Sequence, residues 1–143
     1  MNRLILLGTS FVLFACQSPQ AREQHRGVGL WREEGPNIEA ITLRNPDGTM
    51  KRKEIRRFDY AKEPGNFFSA WVWVIKGNDY GISLSETSRE TSRNFIGKTW
   101  DLKVLSLDEN IFRYLSSDGA LVEERRIGNA SNAELDKAQL KGL

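Results

Sequence analysis

The chain has 143 residues, with 21 Lys and Arg against 19 Asp and Glu, and it carries one Cys and one His. A formal charge of +2 gives no basic footprint for nucleic acid, and a single cysteine cannot close an internal disulfide. With His25 as the only imidazole, Ser-His-Asp, Cys-His and His/Cys metal chemistry lack their central group.

Residues Met1 to Cys16 read MNRLILLGTSFVLFAC. A positive charge at Arg3, an apolar run broken only by Gly8, Thr9 and Ser10, and a small residue at Ala15 have the form of a secretory signal. The run is about a dozen residues, where a spanning helix needs about 20. Its end, Leu13-Phe14-Ala15-Cys16, resembles the bacterial lipobox, in which a small residue precedes an acylated cysteine; Phe14 is bulkier than that position usually carries. The resemblance implies that residues 1–15 are a lipoprotein signal peptide and that Cys16 becomes the site of lipidation. One acyl chain anchors only marginally, and the triacyl group implied here, palmitate included, meets that need. Gln17 stands where an Asp would retain an enteric Gram-negative lipoprotein in the inner membrane, so the implied place is the cell envelope, at the outer membrane if the source is Gram-negative. The alternative is an ordinary signal peptide with a stray cysteine.

Residues 16–26, the acylated Cys followed by polar residues with Pro19 and His25, read as a flexible tether. Residues 27–143 read as one domain; cleavage leaves a chain of about 128 residues, enough for a real core. Short runs rich in Val, Ile, Trp, Phe and Thr alternate there with turn signals. The expected strands are Val28 to Glu33, Ile38 to Arg44, Thr49 to Arg57, Phe67 to Lys76, Tyr80 to Glu86, Thr99 to Leu107, Ile111 to Ser116 and Ala120 to Ile127. Asn45-Pro46-Asp47-Gly48 is the strongest turn signal: Pro presets φ and Gly accepts a positive one. A looser segment holds Pro64-Gly65, and the polar stretch Thr87 to Asn94 is expected to be a solvated loop. Ser131 followed by Glu134 forms a capping box, which predicts a short helix over Asn132 to Leu140. Lys51, Arg52, Lys53, Arg56 and Arg57 form a basic cluster, read as a solvated strand face or a contact for anionic lipid headgroups.

Consecutive hairpins at this spacing predict an all-β, antiparallel meander of about eight strands, and such a meander closes naturally into a barrel. Gly29-Leu30-Trp31 resembles the glycine-x-tryptophan signature that opens the first strand of lipocalins. The resemblance implies a lipocalin-like barrel, with Trp31 plugging the closed end and a basic residue after the last strand packed across it. Arg125 and Arg126 both stand at the right place for that barrel-closing role. Another antiparallel sandwich, with Trp31 in its core, or an open sheet is the alternative.

No enzyme chemistry is readable, and no cofactor is implied. Glu33 with Glu34, and Glu123 with Glu124, are adjacent on strands and point to opposite faces, so neither pair forms a dyad; both are expected to be surface charge. Apolar stripes remain. The fourth strand sets Trp71, Trp73 and Ile75 on one face and Ala70, Val72 and Val74 on the other, which predicts burial on both sides. Tyr80, Ile82 and Leu84 form a second stripe, and Trp100 opens a third. These positions are the candidate ligand-binding residues, either lining a pocket or filling a core. Two functions follow. One is a membrane-tethered protein binding a small apolar molecule, such as a lipid, in a barrel lumen. The other is a non-catalytic envelope assembly or interaction module with a filled core, whose surface binds a protein partner.

Overall fold

The structure, a computed structural model, describes residues 18–56 and 65–140. The segment 1–15, Cys16, Arg57 and Pro64 lie outside the described residues. Eight antiparallel strands follow in chain order: β1 (Gly29–Glu34), β2 (Ile38–Arg44), β3 (Thr49–Arg56), β4 (Gly65–Lys76), β5 (Asp79–Thr87), β6 (Thr99–Leu107), β7 (Ile111–Leu115) and β8 (Leu121–Gly128). Each pairs with its neighbour, and β1 pairs with β8, so the sheet is a closed lipocalin-like barrel with no free edge to seek an outside partner. The β2–β3 turn shows why the sequence bends there. Gly48 takes φ 84°, and the Asp47 carboxylate accepts hydrogen bonds from the Thr49 N–H and hydroxyl at 2.8 and 2.6 Å.

The chain ahead of the barrel departs from the tether reading. Pro19–Gly27 forms a helix, α1. Pro19 sits in its first turn, where a missing N–H costs nothing, and the Ser18 hydroxyl accepts the Ala21 N–H. The helix is docked: Gln24 Oε1 accepts the Ile75 N–H at 2.7 Å, and the Gly27 carbonyl accepts Trp31 Nε1 at 2.9 Å. Gly27 is required by this close approach, because a Cβ there would lie 2.9 Å from the Trp73 ring. The end of the barrel that α1 covers also carries the β2–β3, β4–β5 and β6–β7 turns; the described β1–β2, β5–β6 and β7–β8 connections lie at the opposite end.

Among the described residues, buried apolar side chains form two cores. The inner one fills the lumen at the α1 end around Trp31, Trp73, Ile75, Tyr80 and Phe112. The outer one lies outside the wall, where Leu30, Ile41, Leu43 and Ile55 are covered by Leu135 and Leu140. Leu135 belongs to α2 (Asn132–Lys137), capped by the Ser131 hydroxyl; Leu140 follows it, and the helix is shorter than the sequence predicts. Its position corrects another expectation. It lies over β1–β3 and not over β4, so the outer face of β4 is open, with Val72 52% exposed. The basic third strand is split by its pleat: Lys51 and Lys53 bond outward to Asn132 Oδ1 and the Leu135 carbonyl, while Arg52 and Arg56 turn into the lumen. The Thr87 to Asn94 stretch is not wholly irregular, since a 3₁₀ helix spans Glu90–Phe95.

Candidate functional site

The closed end is built first by Trp31, which is fully buried. Strand β1 aims its ring into the lumen, where it meets Phe112 edge-on at 6.2 Å. Arg126 lies across the opposite side, its guanidinium carbon 4.4 Å from the Trp31 ring centroid. The same guanidinium donates to the Val28, Arg26 and Glu109 carbonyls, tying the end of α1 and the β6–β7 turn to β8. Arg125 points outward, 73% exposed, and pairs with Glu123. Of the two arginines read as closing candidates, Arg126 is the one that touches the tryptophan. Trp73 and Ile75 belong to this closed end as well. Both are 1% exposed, and Trp73 Nε1 donates to the Thr49 carbonyl.

Above this floor runs a belt of charge. Arg44 is buried, its guanidinium carbon 5.1 Å from the Phe112 ring centroid and 5.3 Å from that of Tyr80. It donates to both oxygens of Glu124 and, through Nε and Nη2, to the Tyr80 hydroxyl. Tyr114 donates to Glu124 Oε1 at 3.1 Å. One layer up, Arg52 donates to Glu54 through Nε, to Thr42 Oγ1 through Nη1 and to Glu33 at 2.7 Å through Nη2. Arg56 closes the series on the other oxygen of Glu54.

Electrostatics keep two carboxylates of this belt, Glu124 and Glu54, ionised. Burial by itself would raise the Glu124 carboxyl, but the Arg44 guanidinium, with Arg52 behind it, outweighs burial and holds it below the ordinary carboxylate value. Glu54 behaves alike: burial opposes ionisation, while Arg52 and Arg56 outweigh it and hold the group low. Burial likewise pushes the Tyr80 and Tyr114 hydroxyls up, so both stay protonated and serve as hydrogen-bond groups.

Over the belt lies a chamber of about 290 Å³. Its apolar wall is formed by Trp71, Ile82, Trp100, Leu102 and Val122. Trp71 and Trp100 meet edge to face at 5.8 Å, and Trp71 Nε1 is held by Ser69 Oγ. A second chamber of about 160 Å³ adjoins it, sharing Glu54, Arg56, Trp71 and Trp100 and reaching Leu84, Phe67 and Phe95 under the 3₁₀ helix.

The structure therefore sorts the predicted ligand-binding residues. Trp71, Tyr80, Ile82 and Trp100 come together around the first chamber, and Leu84 lines the second. Trp73 and Ile75 do not join them, because they fill the floor. Sequence reasoning missed the charged half: Arg44, Arg52, Glu33, Glu54 and Glu124 face the lumen. Glu124 in particular, expected at the surface, is fully buried. The available signal was strand parity, since Arg52 and Glu54 share a face with Met50, and Glu124 shares one with Val122.

With its donors and acceptors satisfied by one another, the belt is a polar platform beneath an aromatic wall, an arrangement suited to holding a molecule in place. Among the described residues, no group of three or more His, Cys, Asp or Glu is placed to hold a metal ion. The chain matches no protein-family model, and no curated protein shows significant similarity to it.

Proposed function

We propose that this protein is a lipoprotein, anchored to an envelope membrane through lipid on Cys16, that binds a small apolar molecule in the open half of its barrel without transforming it. The observation that carries the binding reading is the chamber of about 290 Å³ walled by Trp71 and Trp100. Small-molecule sites are concave and mostly apolar, with a few placed polar groups, and the aromatic wall over a hydrogen-bonded belt has that character. The anchoring reading rests on the residue pattern from Arg3 to Cys16 and on Gln17 for the outer membrane. A second reading, an interaction module for an envelope protein, draws on the open outer face of β4, where Val72 and Val74 are exposed side by side.

Native mass spectrometry of the chain recovered from its own host's envelope tests the binding reading. A stoichiometric small-molecule adduct that disappears in Trp71→Asp is the expected result. A bare chain, or one carrying a second protein that is lost on Val72→Asp, overturns it in favour of the interaction module. Labelling with a palmitate analogue tests the anchor separately: label and membrane fractionation should both be lost in Cys16→Ser.

A further inference from the structure

The charge count of the lumen narrows what the chamber accepts. Among the described residues that line it, three arginines (Arg44, Arg52, Arg56) face three glutamates (Glu33, Glu54, Glu124). Each arginine is paired with at least one of these carboxylates at 3.0 Å or less. The described lining is therefore electrically balanced before anything enters. A ligand bearing net charge would lose hydration without finding an uncommitted counter-charge, and a buried charge without a partner is strongly disfavoured. Breaking an existing pair to receive it would strand a glutamate instead.

Size and shape narrow the choice further. A cavity of about 150 Å³ lined by apolar side chains holds one benzene ring, and this chamber is about 290 Å³ with a neighbour of about 160 Å³. The flat faces are supplied by Trp71 and Trp100, which favour a planar partner by offset or edge contact. Resting on the binding reading above, we propose that the chamber takes an uncharged molecule of two or three rings with a small polar group toward Tyr80 and Tyr114, and that it discriminates against anions such as fatty acids. Arg89 also lines the outer chamber, with its guanidinium over the Phe67 ring at 5.3 Å.

A matched pair of probes separates these possibilities. N-phenylnaphthylamine and the same molecule carrying a sulfonate differ by one negative charge on one ring system. The barrel from residue 17 onward keeps both cores and every strand pairing, and it is titrated with each dye by fluorescence. The expected result is that the neutral dye binds about tenfold or more tighter than the sulfonate. Trp100→Ala, checked for folding by circular dichroism, should remove most of that binding. Glu33→Gln, a near-isosteric change at the upper edge of the belt, should leave the fold intact and narrow the ratio several-fold in favour of the sulfonate. Equal or tighter binding of the sulfonate in the unaltered barrel overturns the ligand class while leaving a binding chamber in place. If neither dye binds, or if binding ignores Trp100→Ala, the chamber reading itself falls.

Discussion

Below Arg44 the lumen is filled with rings; above it the same strands leave a space. Strand β4 contributes to both halves two residues apart, giving Trp73 to the floor and Trp71 to the chamber wall. The floor is held by close contact among Trp31, Phe112, Tyr80 and Trp73, so its stability follows packing. In the upper half, packing is incomplete, and the wall is kept apart by a belt of ion pairs whose geometry sets where each side chain stands. A buried ion network adds little net stability over a well-packed apolar layer. What it supplies here is a fixed polar surface that cannot collapse into the space above it. The difference separates a region that stabilises the barrel from one that can receive a guest.

The sharpest way to break this contrast is Trp31→Ala. It empties the floor and removes the ring beneath Arg126, and it should cost about 4–5 kcal/mol in urea unfolding. A loss below about 1 kcal/mol would mean that the floor is not the stabilising half. Glu124→Leu comes next, at about 3–4 kcal/mol, because it leaves Arg44 buried without its carboxylate. Adding Arg44→Met to that variant should recover most of the loss; if it does not, the pair contributes more than mutual neutralisation. The same pair fixes a pH dependence. The Glu124 carboxyl lies below its ordinary value of 4.5 in the folded protein, so its contribution is complete above that value and is lost as pH falls through the lower, folded one. Acid titration of stability should therefore be steeper in the unaltered protein than in the Arg44→Met, Glu124→Leu double variant.

Arg126→Ala should cost about 2 kcal/mol, combining a ring contact with lost charged hydrogen bonds to carbonyls. Arg125→Ala, at the exposed neighbouring position, should change stability by less than about 0.5 kcal/mol. Trp71→Ala should cost about 1 kcal/mol for a half-buried ring, far less than Trp31→Ala, yet it should abolish dye binding. A reversed order for Trp31 and Trp71 would invert the assignment of the two halves.

The strands were legible because their turns are chemically explicit. Asn45-Pro46-Asp47-Gly48 and Gly77-Asn78 fix where β2 and β4 must end, and β2 and β6 coincide with the sequence reading at both ends. Helix α1 was not legible, because its residues are polar and Pro19, which occupies the first turn, stood in a stretch read as a flexible tether; what holds the helix is Gln24 and Gly27 against β4 and β1, contacts that only the closed barrel creates. The aromatic half of the site followed from alternation in β4 and β5. The charged half did not, since Arg and Glu on a strand default to solvent. Strand parity with Met50 was a sign that Arg52 and Glu54 look inward while Lys51 and Lys53 look out toward α2, but closure of the barrel is what fixes it.

Helix α1 also bears on how the molecule stands. It starts just after Gln17 and runs into the end of the barrel opposite the connections that surround the chamber. If Cys16 carries the lipid, the barrel rests on its base like a cup, with its rim turned toward the aqueous compartment. On the proposed reading, a guest would then enter through that rim and not sideways from the leaflet that holds the anchor.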